Sequence, residues 1–222
     1  MCFSATASYG AGVVLTIIGI TSLKKSTKPS ERLFASIPLL FAVQQFAEGI
    51  LWVTLSNSFY DQLEKVCVAV FIIIAQIVWP IWIPLSIHQI ESHKRARQIL
   101  TFFIGVGIIV SICLGGCFII YGVKAEIQGY HITYILNYPD IFKGWLGYFY
   151  GLVTIFPPFI SHYKRMRLLG FTLLVSYLIT RMYFNNYLIS VWCFFAALIS
   201  TIVYYILLEI KSKSVLSDNE MK

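Results

Sequence analysis

Residues 34–55 read FASIPLLFAVQQFAEGILWVTL, an apolar run with a single acidic residue, Glu48, inside it. The run has the length of a bilayer-spanning helix, about 20 residues. A carboxylate within such a helix costs ~2.5–3.5 kcal/mol or more to insert, so it must face protein or water and must have partners. Gln44, Glu48 and Trp52 stand at i, i+4 and i+8 and share one face of that helix.

The rest of the chain repeats this pattern. Of its 222 residues 58% are hydrophobic and only 12% are charged, and the mean hydropathy is +0.77. Soluble domains carry about 25% charged residues, so the composition belongs to the membrane class. Apolar stretches at 6–23, 34–55, 66–88, 99–121, 144–161, 168–184 and 187–210 predict an all-α polytopic membrane protein with seven transmembrane helices. They form one domain over 1–210, and residues 211–222 are expected to be a polar, disordered cytoplasmic tail.

The net charge of +7 invites a nucleic-acid reading, which the positions of the charges exclude. Thirteen of the seventeen basic residues fall in alternate links, after helices 1, 3, 5 and 7; only Lys65, Lys124, Lys143 and Arg181 fall on the other side. This is the bias of cytoplasmic loops, and it puts the N-terminus outside and the C-terminus inside. The partners implied are the lipid bilayer and, at the cytoplasmic side, anionic headgroups. No basic leader or cleavage site precedes the first helix, so a removable signal peptide is not expected.

Along the chain, Ser4 is placed to cap helix 1. Trp79-Pro80 and Pro84 should break helix 3 near Gln76, freeing carbonyls that only a protein-lined interior tolerates. The longest link, 122–143, lies outside and holds Tyr130, His131, Tyr134 and Tyr138, a density that suits an interfacial segment.

Topology then gathers the reactive groups. Cys2, Glu48, His131, Ser190 and Cys193 all lie toward the outer face, and Arg181 is the basic residue at membrane depth nearest to serve as counter-ion of Glu48. Three chemistries fit. In the first, Cys2 is a nucleophile with His131 or Glu48 as base, in a catalytic core completed by Cys193. In the second, Cys2, His131, Glu48 and Cys193 hold zinc or copper, although no CxxC, HxxxH or HExxH spacing supports it. In the third, Glu48, Gln44, Gln76, Arg181 and Tyr134 line a cavity for a small ligand of a sensor or transporter. Cys2–Cys193 is also a candidate disulfide. His93 and His162, in basic cytoplasmic turns, are expected to be solvated, and His88 to cap helix 3.

The start Met1-Cys2-Phe3-Ser4-Ala5-Thr6-Ala7-Ser8, Gln44-Gln45-Phe46-Ala47-Glu48-Gly49, Trp79-Pro80-Ile81-Trp82-Ile83-Pro84, His131-Ile132-Thr133-Tyr134 and Ser190-Val191-Trp192-Cys193-Phe194-Phe195-Ala196-Ala197 occur in that order. Together they resemble an uncharacterised bacterial family of seven-helix integral membrane proteins. The resemblance implies the fold and an inner-membrane location, and it brings no activity. Residues 187–210 contain no lysine for a retinal Schiff base, and no HxxxH pair supports the zinc chemistry of the membrane hydrolases related to alkaline ceramidase and the progestin and adiponectin receptors.

Overall fold

The computed structural model describes residues 4–56 and 58–220. Helix α1 spans Ala5–Lys25, and the Ser4 side chain accepts the Ala7 N–H as its cap. Its buried positions are Ser8, Gly12, Leu15, Gly19 and Ser22, a stripe of mostly small residues. Small residues let helix backbones approach closely inside a membrane, where the hydrophobic effect does not drive helices together. Helix α2 (Ile37–Thr54) takes that stripe: a Cβ on Gly19 would lie 2.4 Å from Leu39 Cγ, and one on Gly12 would lie 2.9 Å from the Phe46 ring.

Helix α3 runs over Asp61–Ile90 and contains the expected disturbance. Residues Ile73–Val78 are π-helical, with the Trp79 N–H reaching back to the Ile74 carbonyl. Proline at position 80 has no N–H and its ring crowds the preceding turn, so the ladder widens ahead of it rather than breaking. The carbonyls this frees find side-chain donors on neighbouring helices. The Tyr150 hydroxyl donates to Ala75 O at 2.5 Å, and the Ser111 hydroxyl donates to Ile77 O at 2.7 Å. Helix α4 (Lys94–Tyr121) presses against this segment so closely that a Cβ on Gly107 would lie 2.0 Å from Pro80 O.

The link after α4 departs from an all-helical reading. Residues Val123–Gln128 (β1) and His131–Leu136 (β2) form an antiparallel hairpin, with Gln128 opposite His131. Gly129 sits at φ +62 and Tyr130 at negative φ, the arrangement of a tight turn with glycine at its first central position. The hairpin packs on the C-terminal part of α2 and the N-terminal half of α3, in a cluster with Ala47, Leu51, Cys67 and Phe71. Tyr134 stacks on Phe71 with centroids 4.5 Å apart.

Helix α5 covers Asp140–Ile155 and is followed by a short turn, Pro157–Ile160. Helix α6 covers Lys164–Tyr183, and α7 covers Asn185–Ser212 with a break at Ser200. Helical backbone continues to Glu220, past the point where a disordered tail is expected. Among the described residues five helices are long and apolar enough to cross a membrane: α1, the segment ending in α2, α3, α4 and α7. Helices α5 and α6 fall short of that measure. α5 is cut at Phe156 by the proline pair, and Lys164, Arg165, Arg167 and Arg181 dilute α6. Large apolar side chains such as Ile17, Phe102, Ile112 and Ile119 face outward, an outer surface suited to lipid rather than water.

Candidate functional site

Gln44, Gln45 and Glu48 lie on the buried side of α2, and Ser190 lies in the first turns of α7; all four are 0% exposed. The two helices meet through their side chains. The Ser190 hydroxyl donates to Glu48 Oε1 at 2.5 Å, and Gln45 Nε2 approaches Glu48 Oε2 at 3.5 Å. Bonds from a hydroxyl to a carboxylate are short, about 2.5–2.7 Å, and roughly twice as strong as neutral ones. Trp79, the first residue after the π segment, donates its indole N–H to Gln44 Oε1 at 3.2 Å. Its ring stacks on Phe41 at 4.2 Å. On the other side the Gln44 amide lies beside the Cys193 thiol, which stands one turn beyond Ser190 on α7. Gln45 Oε1 is buried without a partner among the described residues.

A narrow cavity of about 50 Å³ adjoins this centre, walled by Phe41, Trp79, Tyr150, Thr154, Trp192 and Cys193, among others. Trp79 and Cys193 belong to both features. The cavity is apolar, and the Trp192 indole N–H beside it has no acceptor among the described residues. Room of that size takes a group of a few heavy atoms.

The groups singled out from sequence divide unevenly. Glu48, Gln44 and Cys193 come together as expected, with Ser190 as the direct partner of Glu48. Arg181 does not serve as the counter-ion. It is exposed and its guanidinium donates to Asn185 Oδ1 at 2.9 Å, because the end of α6 directs it to the loop at the mouth of α7. Gln76 accepts the Tyr138 hydroxyl at 2.9 Å, tying the strand-to-helix link to the π segment. His131 stacks on Tyr187 at 4.4 Å, above the start of α7, with Phe184 edge-on at 5.5 Å. Burial lowers its pKa. Tyr134 is buried against Phe71. Cys67, Cys113, Cys117 and Cys193 are free thiols. Cys2, and with it the Cys2–Cys193 pairing, lies outside the described residues.

A second cluster stands at the opposite end of the bundle, where solvated histidines are expected. Glu91, directly after α3, is fully buried and accepts N–H groups from Ser92 (3.0 Å) and His93 (3.1 Å) on Oε1. It accepts the His162 N–H on Oε2 at 3.1 Å. Burial alone would raise the Glu91 pKa, but the His93 and His162 N–H groups and the Ser161 hydroxyl outweigh it and hold the carboxyl below its ordinary range. The His93 and His162 rings lie face to face, 3.5 Å apart and 12° from parallel. Sequence periodicity could not pair them, since His93 and His162 belong to turns far apart in the chain.

The fold and its centre define a class: a helical bundle with an apolar exterior, helices of membrane-crossing length and a buried carboxylate held by polar side chains from two of them. Within that class, residues 1–218 match the family described as "Family of unknown function (DUF6629)", and the chain belongs to it. The resemblance to an uncharacterised family is borne out. No curated protein and no solved structure matches the chain.

Proposed function

We propose that the chain is a seven-helix protein of the bacterial inner membrane, N-terminus outside and C-terminus inside, that binds a small ligand within the bilayer as a sensor or transporter does. One observation carries the reading: Trp79 and Cys193 are shared between the buried centre around Glu48 and the apolar cavity. A ligand with a compact apolar part would lodge in the cavity. Its hydrogen-bonding group would meet Gln44, Gln45 and Glu48 at one end or the Trp192 N–H at the side. Gln45 Oε1 and Trp192 Nε1, both buried without partners among the described residues, are the groups such a ligand would satisfy, since an unpaired buried polar atom costs about 1–3 kcal/mol.

The test is native mass spectrometry and lipid extraction on protein purified in a mild detergent. A co-purifying small molecule should be present in the wild type. It should be lost in Ala196→Phe, which fills the cavity, and in Glu48→Gln, and be retained in Cys2→Ser. Retention of the molecule in Ala196→Phe would sink the cavity reading.

A second reading keeps Cys2, Glu48, His131 and Cys193 as the core of an outer-leaflet enzyme or a zinc or copper centre. The adjacency of Glu48 and Cys193 favours it. It requires that Cys2→Ser and His131→Ala abolish activity or metal content while the fold is kept.

A further inference from the structure

Two turns of this chain share a sequence: Ser92-His93-Lys94-Arg95-Ala96-Arg97 and Ser161-His162-Tyr163-Lys164-Arg165-Met166-Arg167, the second with one residue more. Each precedes a helix, α4 or α6, and each brings its histidine to Glu91. The His93 and His162 backbone N–H groups bond opposite oxygens of the carboxylate. The two imidazoles nevertheless converge on one oxygen, with Nδ1 of His93 3.4 Å and Nδ1 of His162 3.3 Å from Glu91 Oε1. These backbone bonds and the Ser161 hydroxyl fasten the turns to Glu91 without the rings, so they do not account for two rings over a single oxygen.

The spacing has a chemical meaning. A tetrahedral ion bonded to imidazole nitrogen and carboxylate oxygen at about 2.0–2.1 Å sets its ligand atoms roughly 3.3–3.4 Å apart. Both nitrogen–oxygen distances fall there, and the three potential ligand atoms all lie within 4.8 Å of one another. We propose that Glu91 Oε1, His93 Nδ1 and His162 Nδ1 form a three-ligand site for a borderline transition-metal dication, zinc foremost, with the fourth position open to solvent.

The N–H groups on Glu91 act as the outer shell that orients a ligating carboxylate. The basic residues flanking both turns oppose a weakly held cation, which favours an ion bound through nitrogen over calcium or magnesium. Parallel rings cannot both aim their lone pairs at one ion, so binding swings the imidazoles out of the stack. Their side chains are 60% and 49% exposed. The bound ion would lock the α3–α4 turn to the α5–α6 turn at the end of the bundle opposite Glu48, independently of the ligand reading above.

The experiment is cobalt titration of the full-length protein in detergent, followed by displacement with zinc. Tetrahedral cobalt absorbs in the visible, so the readout is spectroscopic and needs no known activity. The wild type should take up one cobalt per chain and release it to one equivalent of zinc. His93→Ala and His162→Ala should each weaken binding by at least about tenfold, the scale of losing a supporting ligand, and the double variant should abolish the spectrum. Glu91→Gln removes an anchor of both turns as well as a ligand, so the exposed histidines carry the test, with circular dichroism confirming the fold. Cys193→Ser and His131→Ala should leave the spectrum unchanged. Undiminished binding in the double histidine variant, or no cobalt spectrum in the wild type up to millimolar ion, would overturn the proposal.

Discussion

Replacing Ser190 by alanine removes the hydroxyl that donates to Glu48 Oε1 at 2.5 Å, in a place where neither residue has any exposure. A hydrogen bond to a charged group is worth about 1.5–3 kcal/mol, and a neutral one about 0.5–1.5 kcal/mol. Side-chain bonds between membrane helices average only about 0.6 kcal/mol in double-mutant cycles. If the ionised carboxylate makes this contact special, Ser190→Ala should cost about 2 kcal/mol in the wild type. In a Glu48→Gln background, where an amide oxygen replaces the carboxylate, it should cost under ~1 kcal/mol. At about 2–4 °C per kcal/mol for a chain of this size, the first substitution lowers Tm by roughly 4–8 °C. The assay is thermal unfolding of all four proteins in one detergent at one pH, with unfolding by a denaturing detergent as a second probe. An equal loss in both backgrounds would refute the reasoning and reduce Glu48 and Ser190 to ordinary interhelical glue.

Gly107→Ala should cost about 3 kcal/mol by overpacking, because its Cβ would meet the Pro80 carbonyl oxygen at 2.0 Å and backbone cannot rotate aside. Gly116→Ala, with nothing within 4 Å, should be neutral or gain up to ~1 kcal/mol from helix propensity; thermal unfolding compares the two. Tyr150→Phe should lose about 1–3 kcal/mol by leaving the Ala75 carbonyl of the π segment unpaired, read as a Tm shift against wild type. Gly129→Ala should cost about 1–2 kcal/mol at its left-handed φ, and Gly129→Asn less, measured in the same way.

Much of this arrangement was legible in the sequence. Glu48 announced a buried polar centre because no apolar helix carries a carboxylate without support, and the i, i+4 spacing put Gln44 on the same face. Trp79-Pro80 announced the disturbed helix beside Gln76. The hairpin was legible too. Val123-Lys124-Ala125-Glu126-Ile127-Gln128 alternates apolar and polar residues, and Gly129 marks the turn, but aromatic density drew the reading to an interfacial segment instead. Arg181 was misplaced because depth along a helix is readable from sequence while rotation about its axis is not. That rotation set its guanidinium on Asn185, away from Glu48. The Glu91, His93 and His162 cluster was out of reach for a different reason. Its members come from turns that only tertiary packing brings together, and histidine in a basic turn carries no periodic signal.

The π segment has a consequence for how the two halves of α3 are aimed. A wide turn of this kind amounts to one surplus residue in an α-helix, and each residue advances the helix by about 100°. The half of α3 that holds Cys67 and Phe71 is therefore out of phase with the half that begins at Trp79. Deleting that surplus residue between Ile73 and Val78 would leave the two halves aimed as they are, whereas winding all of the residues as a regular α-helix would swing the half with Phe71 by about 100° relative to Trp79. Phe71 could then not keep Tyr134 while Trp79 kept Gln44. The hairpin and the polar centre are thus geared together through one irregular turn, and winding that turn regularly at the same length would disengage them even though every side chain in both remained.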